Sequence, residues 1–427
     1  MIDASRIYAL KIFQQVIRRR KPLSSAIIES GGYQIASKAD SAFAERIVKT
    51  ALKRLGQIDQ ILGECLAQPL PKKARVAQDV LRLGAAQILF MEVPDHAAVH
   101  TSVQLFHAEG EGRYAKLINA ILRRLTREGC SWINAQDETR LNTPDWLWHS
   151  WSKVYGIQTC REIASAHLKE APIDISVKAN PKKWAIRLGG QVLNTNTVRL
   201  EGSQAITNLE GYNEGSWWVQ DVAANIVSGL IGDVRGKRII DLCAAPGGKT
   251  AALASAGAIV TAIDSSATRL QRLRENLTRL QLKAHVIEAD AKSWRPIELA
   301  DAVLLDAPCT GTGIIRRHPD IAHCKTASDV MELMVIQETL LVAAVELVKP
   351  GGIILYSTCS LQPEEGLMQI ERAKKNELPI RPLPFTKNHL LGMSEMLTST
   401  GTFLSLPSYL PKQGHMDGFF ACRFEKL

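Results

Sequence analysis

The chain has no Cys-x-x-Cys pair, although eight cysteines stand at positions 65, 130, 160, 243, 309, 324, 359 and 422. That scatter argues against structural zinc and against a disulfide framework. No metal is expected, the thiols are read as free in a cytoplasmic protein, and a functional cysteine should act as a thiolate nucleophile. No apolar run approaches the length of a membrane span, and Met1-Ile2-Asp3 does not read as a signal peptide. Internal repeats and low-complexity tracts are absent. So are two signatures of phosphate binding. The pattern G-x-G-x-x-G does not occur, and Cys243 stands where a phosphate-cradling loop needs the Gly five residues ahead of Gly248-Lys-Thr. Both absences argue against a ligand gripped through a pyrophosphate.

What is present is ordinary in bulk and uneven in charge. With 427 residues, 46% hydrophobic and 22% charged, the chain can build two or three domains, each with its own core. The net charge of +9 is concentrated at one end: residues 1–130 hold 20 Lys/Arg against 12 Asp/Glu, the remainder 32 against 31. A basic module on a near-neutral body reads either as a polyanion handle or as a solvated surface.

Residues 1–130 read as all-α, with Ile7, Leu10, Phe13 and Ile17 on one helical face and Leu117, Ile118, Ile121 and Leu125 on another. Basic clusters at Arg18–Lys21, Lys72–Arg75 and Arg123–Arg124 lie at helix ends or beside turns. Residues 131–165 form a Trp-rich helical connector (Trp132, Trp146, Trp148, Trp151), read as packing between domains rather than base stacking. Residues 166–235 read as a small α+β module. Within 236–427, short strands at Arg238–Asp241, Ile259–Asp264, His285–Ala289, Ala302–Asp306 and Gly352–Tyr356 alternate with helices, clearest at Ser266–Leu282 and Asp329–Val348. Such alternation predicts an α/β, Rossmann-like, mostly parallel sheet covered on both faces. The tail Asp417–Phe424 is expected to add an antiparallel edge.

Ligands of such sheets bind at the carboxyl ends of the strands, which puts Asp241, Asp264, Asp290, Asp306 and Cys359 along one rim. The turn Asp241-Leu-Cys-Ala-Ala-Pro-Gly-Gly-Lys-Thr250 leads from the first strand into a helix, and its small residues let a ligand approach the backbone. Asp264 is placed to accept both hydroxyls of a ribose, Asp290 to accept from an exocyclic adenine amine, and Asp241 to neighbour a cationic amino-acid moiety. Pocket acids without a phosphate-binding loop suit an adenosine with a positive centre, which S-adenosyl-L-methionine is. Helix capping by these residues is the competing explanation.

Two cysteines end the fourth and fifth strands: Cys309 in Asp306-Ala-Pro-Cys-Thr-Gly-Thr-Gly313, and Cys359 in Tyr356-Ser-Thr-Cys-Ser360. A thiolate added to C6 of cytosine makes C5 enamine-like and able to take a methyl group. Loss of the C5 proton and β-elimination then release the product. This chemistry also needs an acid or hydrogen-bond donor near N3, a role open to Asp306, which can instead line the cofactor pocket. Arg316-Arg317-His318-Pro-Asp320 reads either as a holder of phosphates or a flipped nucleotide near the rim, or as a solvated loop.

Together with Pro363-Glu-Glu365, Gly215–Asp221 and Asp417-Gly-Phe-Phe420, these motifs resemble the Sun (Fmu) family of RNA cytosine-5 methyltransferases, above all its bacterial small-subunit ribosomal RNA branch. Leu117-Ile-Asn-Ala-Ile-Leu-Arg-Arg resembles the antitermination-factor (NusB-like) helical RNA-binding domain, so the resemblance covers nearly the whole chain. It implies S-adenosyl-L-methionine as cofactor, with Cys243, Ala244, Ala245, Pro246, Gly247, Gly248, Lys249, Asp264, Asp290 and Asp306 lining its pocket. It implies Cys359 as the nucleophile and Cys309 as an aid to product release, and Thr358-Cys359 favours RNA over DNA. It also implies 16S rRNA, naked or in early assembly, as partner, and a cytosine of the 967 class as target. A monomer is expected. The chain departs from the family pattern at Gly366 (usually Asn), Thr310 (usually Ser) and Lys178-Ala-Asn180 (commonly Arg-x-Asn). Transfer RNA as substrate and a non-catalytic RNA-binding factor are the alternatives, and the second has no need of an intact Cys359, Asp306 and glycine turn.

Overall fold

The structure, a computed structural model, describes residues 3–31, 37–110, 112–193, 196–202, 205–390 and 392–427. The chain forms two compact units, one of residues 1–169 with 315–326, the other of residues 170–314 with 327–427.

The first unit is helical. Helices Ala4–Arg19, Lys38–Lys53, Leu55–Cys65, Arg75–Phe90, Asp95–Ala108 and Ala115–Ala135 turn their apolar stripes onto one core around Phe13, Ile47, Ile58, Val80 and Leu122. Burying each such side chain contributes about 1.5–3 kcal/mol. Asp3 caps the first helix by accepting from the amides of Ser5 and Arg6, and Ser37 with Asp40 forms a capping box on Lys38–Lys53. The all-α expectation for this region holds. Residues 131–165 continue in the same unit. Trp148 lies between the guanidiniums of Arg140 (5.3 Å) and Arg161 (5.4 Å), and Trp151 is buried against His167. These two tryptophans therefore pack within the helical unit, not between domains.

Residues 315–326 also belong to this unit. The Asp320 carboxylate accepts from the amide of Leu23 (2.9 Å), the first residue of helix Leu23–Glu29, and His323 Nε2 donates to the carbonyl of Leu52 (2.8 Å). Arg316 and Asp320 are buried. Arg316 and Asp320 are thus not part of a solvated loop, Asp320 being drawn inward by a helix-start amide, whereas Arg317 is half-buried and His318 exposed.

The second unit carries two sheets among the described residues. Strands β1 (Ile173–Val177), β2 (Gly190–Val192), β3 (Thr197–Leu200) and β4 (Trp217–Val219) form an antiparallel sheet in the order β2-β3-β1-β4. The larger sheet contains β5 (Arg238–Leu242), β6 (Ile259–Asp264), β7 (His285–Glu288), β8 (Ala300–Asp306), β9 (Val348–Thr358), β10 (Ile380–Pro382), β11 (Phe403–Ser405) and β12 (Phe419–Lys426). Its order is β10-β12-β9-β8-β5-β6-β7, with β11 also paired to β12. Strands β5 to β9 run parallel and the others antiparallel, as the alternating pattern predicts. The tail is antiparallel but is not the edge, because β12 pairs with β9 on one side and β10 on the other. A buried bidentate pair, Asp174 with Arg199 (2.7 Å for both bonds), links the small sheet to the tail, since Arg199 also donates to the carbonyls of Gln413 and His415. No helix among the described residues is long and apolar enough to cross a membrane.

Candidate active site

The strand order reverses between β5 and β8, which opens the crevice where open α/β sheets bind ligands. The turn after β5 lies there. Ala244 N donates to Ile263 O (3.0 Å), Gly247 N donates to Ala244 O (2.9 Å), and Gly247, at φ 101°, starts the helix Gly248–Ser255. That left-handed conformation favours glycine, and a Cβ on Gly247 would lie 2.8 Å from Leu273 Cγ. Ala244 and Ala245 are buried, Pro246 is exposed, and the Ala245–Pro246 peptide is cis. Burial pushes the Cys243 thiol up to about 12, and the charges of Asp264, Asp306 and Asp241 push the same way. Cys243 stays protonated and lines the turn as a small packing residue.

The acids take different places. Asp264, buried at the end of β6, accepts from Ala245 N (3.1 Å) and Ser266 N (2.9 Å). Asp290 is exposed beyond β7 and accepts from Lys292 N (3.0 Å). Asp306 ends β8, with Lys249 Nζ on Oδ2 (2.7 Å) and Ser357 Oγ on Oδ1 (3.1 Å). Asp241 differs from the sequence expectation. It is fully buried inside β5 and accepts from Thr250 Oγ1 (2.6 Å), tying strand to helix instead of facing the rim. The turn thus offers bare backbone at Gly247–Gly248 and carboxylates at the ends of β6 and β7, while its two neighbouring cations are engaged, Lys249 by Asp306 and Arg269 by the Ala245 carbonyl and Asp264 (3.4 Å). This donor set fits a cationic adenosine and does not fit a polyphosphate.

The two cysteine loops converge. Cys309 Sγ and Cys359 Sγ are 3.4 Å apart. Around them, Gly313 N donates to Cys359 O (2.9 Å), Leu361 N donates to Thr312 Oγ1 (2.9 Å), and Gly418 N donates to Gly313 O (2.8 Å). The Cys309 thiol is held well above the ordinary cysteine range, first by its hydrogen bond to Cys359, then by burial, then by the charges of Cys359 and Glu365. Either sulfur of the pair can donate to the other across this contact.

Reading the sequence alone missed three contributors. Glu365 is wholly buried beneath both cysteine loops, Ser357 bonds Asp306, and Phe419 places its ring 4.8 Å from Lys249 Nζ. The available signal was Pro363-Glu-Glu365 beside the hydroxyls of Thr310 and Ser360. The family departures are also explained locally. Thr310 keeps the hydroxyl that Ser would supply and donates it to Glu365. Lys178 donates to the carbonyl of Leu280, closing the helix Ala267–Leu280, and burial lowers its amine below the usual range. Gly366 stands against Phe420, whose Cγ a Cβ there would meet at 3.0 Å.

The chain matches the family model for the 16S rRNA methyltransferase RsmB/F over residues 231–425 and that of the NusB family over residues 3–127. Ribosomal RNA small subunit methyltransferase B of Pasteurella multocida is 33% identical over 446 residues, covering 99% of this chain and 96% of the relative. The crystal structure of PH0851 superposes with a TM-score of 0.76 at 23% identity, covering 98% of this chain and 99% of that one. NSun6 from Pyrococcus horikoshii, solved with SFG, shares the fold at a TM-score of 0.56 and 18% identity, over 66% of this chain and 98% of its own. A helical NusB half joined to a Rossmann-like body with this glycine turn leads to one assignment: the chain belongs to the RsmB/F family of S-adenosyl-L-methionine-dependent 16S rRNA methyltransferases.

Proposed function

We propose that the enzyme methylates C5 of a cytosine in 16S rRNA, of the cytosine-967 class, through a covalent bond between Cys359 Sγ and C6. The observation that carries this reading is the 3.4 Å approach of the two sulfurs at the ends of β8 and β9. The thiolate is the form of a cysteine that adds to C6. The bound cofactor supplies an electrophilic methyl group on a sulfonium. With the cofactor bound, Lys249, held by Asp306, would donate the hydrogen bond near N3 as the Cys359–C6 bond forms, leaving C5 electron-rich enough to accept the methyl group. The C5 proton then passes to solvent, its electron pair closes C5=C6, and the Cys359–C6 bond breaks. Cys309 aids this release by donating its S–H to the departing thiolate.

In the same reading the backbone from Cys243 to Gly248 and Lys249 line the cofactor pocket, Asp264 accepts the ribose hydroxyls and Asp290 the adenine amine. Residues 1–130 hold RNA, 131–165 connect, 166–235 support, and 236–427 catalyse. The protein works as a cytoplasmic monomer on naked or early-assembly rRNA. Replacing Cys359 with Ala should abolish methyl transfer while leaving cofactor affinity unchanged; retained turnover would remove Cys359 from the mechanism. Labelled cofactor offered with separated RNA pools should mark small-subunit rRNA, and label confined to tRNA would overturn the substrate.

A further inference from the structure

Each reactive cysteine is followed by a hydroxyl residue, Thr310 after Cys309 and Ser360 after Cys359, and both hydroxyls meet on one buried carboxylate. Glu365 accepts from Thr310 Oγ1, from Thr310 N (2.9 Å), from Ser360 Oγ and from Gln337 Nε2 (3.0 Å). Its backbone carbonyl accepts from Tyr356 OH (2.8 Å) and Thr358 Oγ1 (3.3 Å), the residues that bring β9 to Cys359. A carboxylate with four donors and no cation among them is a costly thing to bury unless every donor is held in place. Burial raises its carboxyl above the usual range even so.

We propose that Glu365 is a positioning residue for methyl transfer: by gripping Thr310 and Ser360 it fixes the loops after β8 and β9 so that the sulfurs of Cys309 and Cys359 stay in contact. The inference rests on the covalent reading above and names the group that sets its geometry. Glu365 touches neither the RNA nor the cofactor in this role. It acts through the two residues beside the cysteines, so its loss should disturb the chemical step and spare cofactor binding.

The test uses the full chain with both cysteines intact. Glu365→Gln should lower kcat by roughly ten- to a hundred-fold, the scale on which small misplacements act, with KM and Kd for S-adenosyl-L-methionine unchanged. Independently of activity, diamide should form the Cys309–Cys359 disulfide, read by peptide mass, more slowly in Glu365→Gln than in wild type. Unchanged kcat or an unchanged cross-linking rate overturns the proposal. If Glu365→Gln fails to fold, Thr310 decides. Thr310→Val should show the same kcat loss and slowed cross-linking, Thr310→Ser should restore both, and equal behaviour of the two variants overturns the role. Turnover by Cys359→Ala would refute the covalent reading alone, because the cross-linking rate reports sulfur geometry whether or not Cys359 is the nucleophile.

Discussion

Asp241 and His167 are both fully buried titratable groups, and their environments push in opposite directions of pH. Burial, opposed by the Thr250 hydrogen bond and reinforced by the Asp306 charge, raises the Asp241 carboxyl to about 7, and Oδ1 has no hydrogen-bond partner among the described residues. The folded state keeps a proton that the unfolded chain releases near its ordinary pKa of about 4. Stability from this group is therefore complete below about pH 4 and is lost as pH rises through about 7. Asp241→Asn should stabilise the ligand-free protein at pH 8, on the order of 1–3 kcal/mol by urea unfolding, with a smaller gain at pH 5. For His167, burial first and then the Arg316 and Lys53 charges lower the imidazole to about 3. Its contribution is present above about pH 6.5 and fades as pH falls toward 3, because the unfolded chain takes up the proton first. Replacing His167 with Phe should make acid unfolding of the helical unit less steep, read by circular dichroism between pH 6 and pH 4 as order-of-magnitude bounds.

Among the elements, the loop after β8 meets the chain entering β12 backbone to backbone at Gly313 and Gly418. A Cβ on Gly313 would meet the carbonyl oxygen of Gly418 at 2.2 Å, and neither backbone can yield without moving Cys309 or β12. Gly313→Ala should cost about 1–3 kcal/mol of stability in denaturant unfolding, as overpacking does, and should lower methyl transfer by more than the stability loss explains. Removing Arg199 would take the bidentate cation from the buried Asp174 carboxylate, which keeps the Val222 amide as a donor but no guanidinium, so Arg199→Met should destabilise the second unit by about 3–5 kcal/mol in the same assay. Strands β5 to β9 were readable from the sequence because buried parallel strands are short apolar runs ending in a polar residue. Strands β2, β10 and β11 were not: each is three residues long, too short for a period to register. The turn after β5 and the two cysteine loops were likewise legible, since small residues and thiols at strand ends signal chemistry locally. Glu365 was not, because a carboxylate in a Pro-Glu-Glu turn looks solvated until the fold buries it. Asp320 was hidden for a different reason, its partner Leu23 lying 297 residues away.

For the whole molecule, charge divides the labour. Of the basic clusters in the helical half, Arg18 pairs with Asp79, Lys21 with Glu29 and Arg124 with Glu128, so these support the fold. Arg19, Arg20, Lys72, Lys73, Arg75 and Arg123 are exposed. Replacing Lys72, Lys73 and Arg75 with Glu should weaken RNA binding across sequences and flatten its dependence on log salt by roughly 0.7 per lost phosphate contact, measured by fluorescence anisotropy. The most direct measurement is to incubate Cys309→Ala with S-adenosyl-L-methionine and small-subunit rRNA, denature, and map any RNA-linked peptide by mass spectrometry. A stable link at Cys359 to a methylated cytosine is the predicted result; no link, or a link at another residue, would contradict covalent catalysis through Cys359.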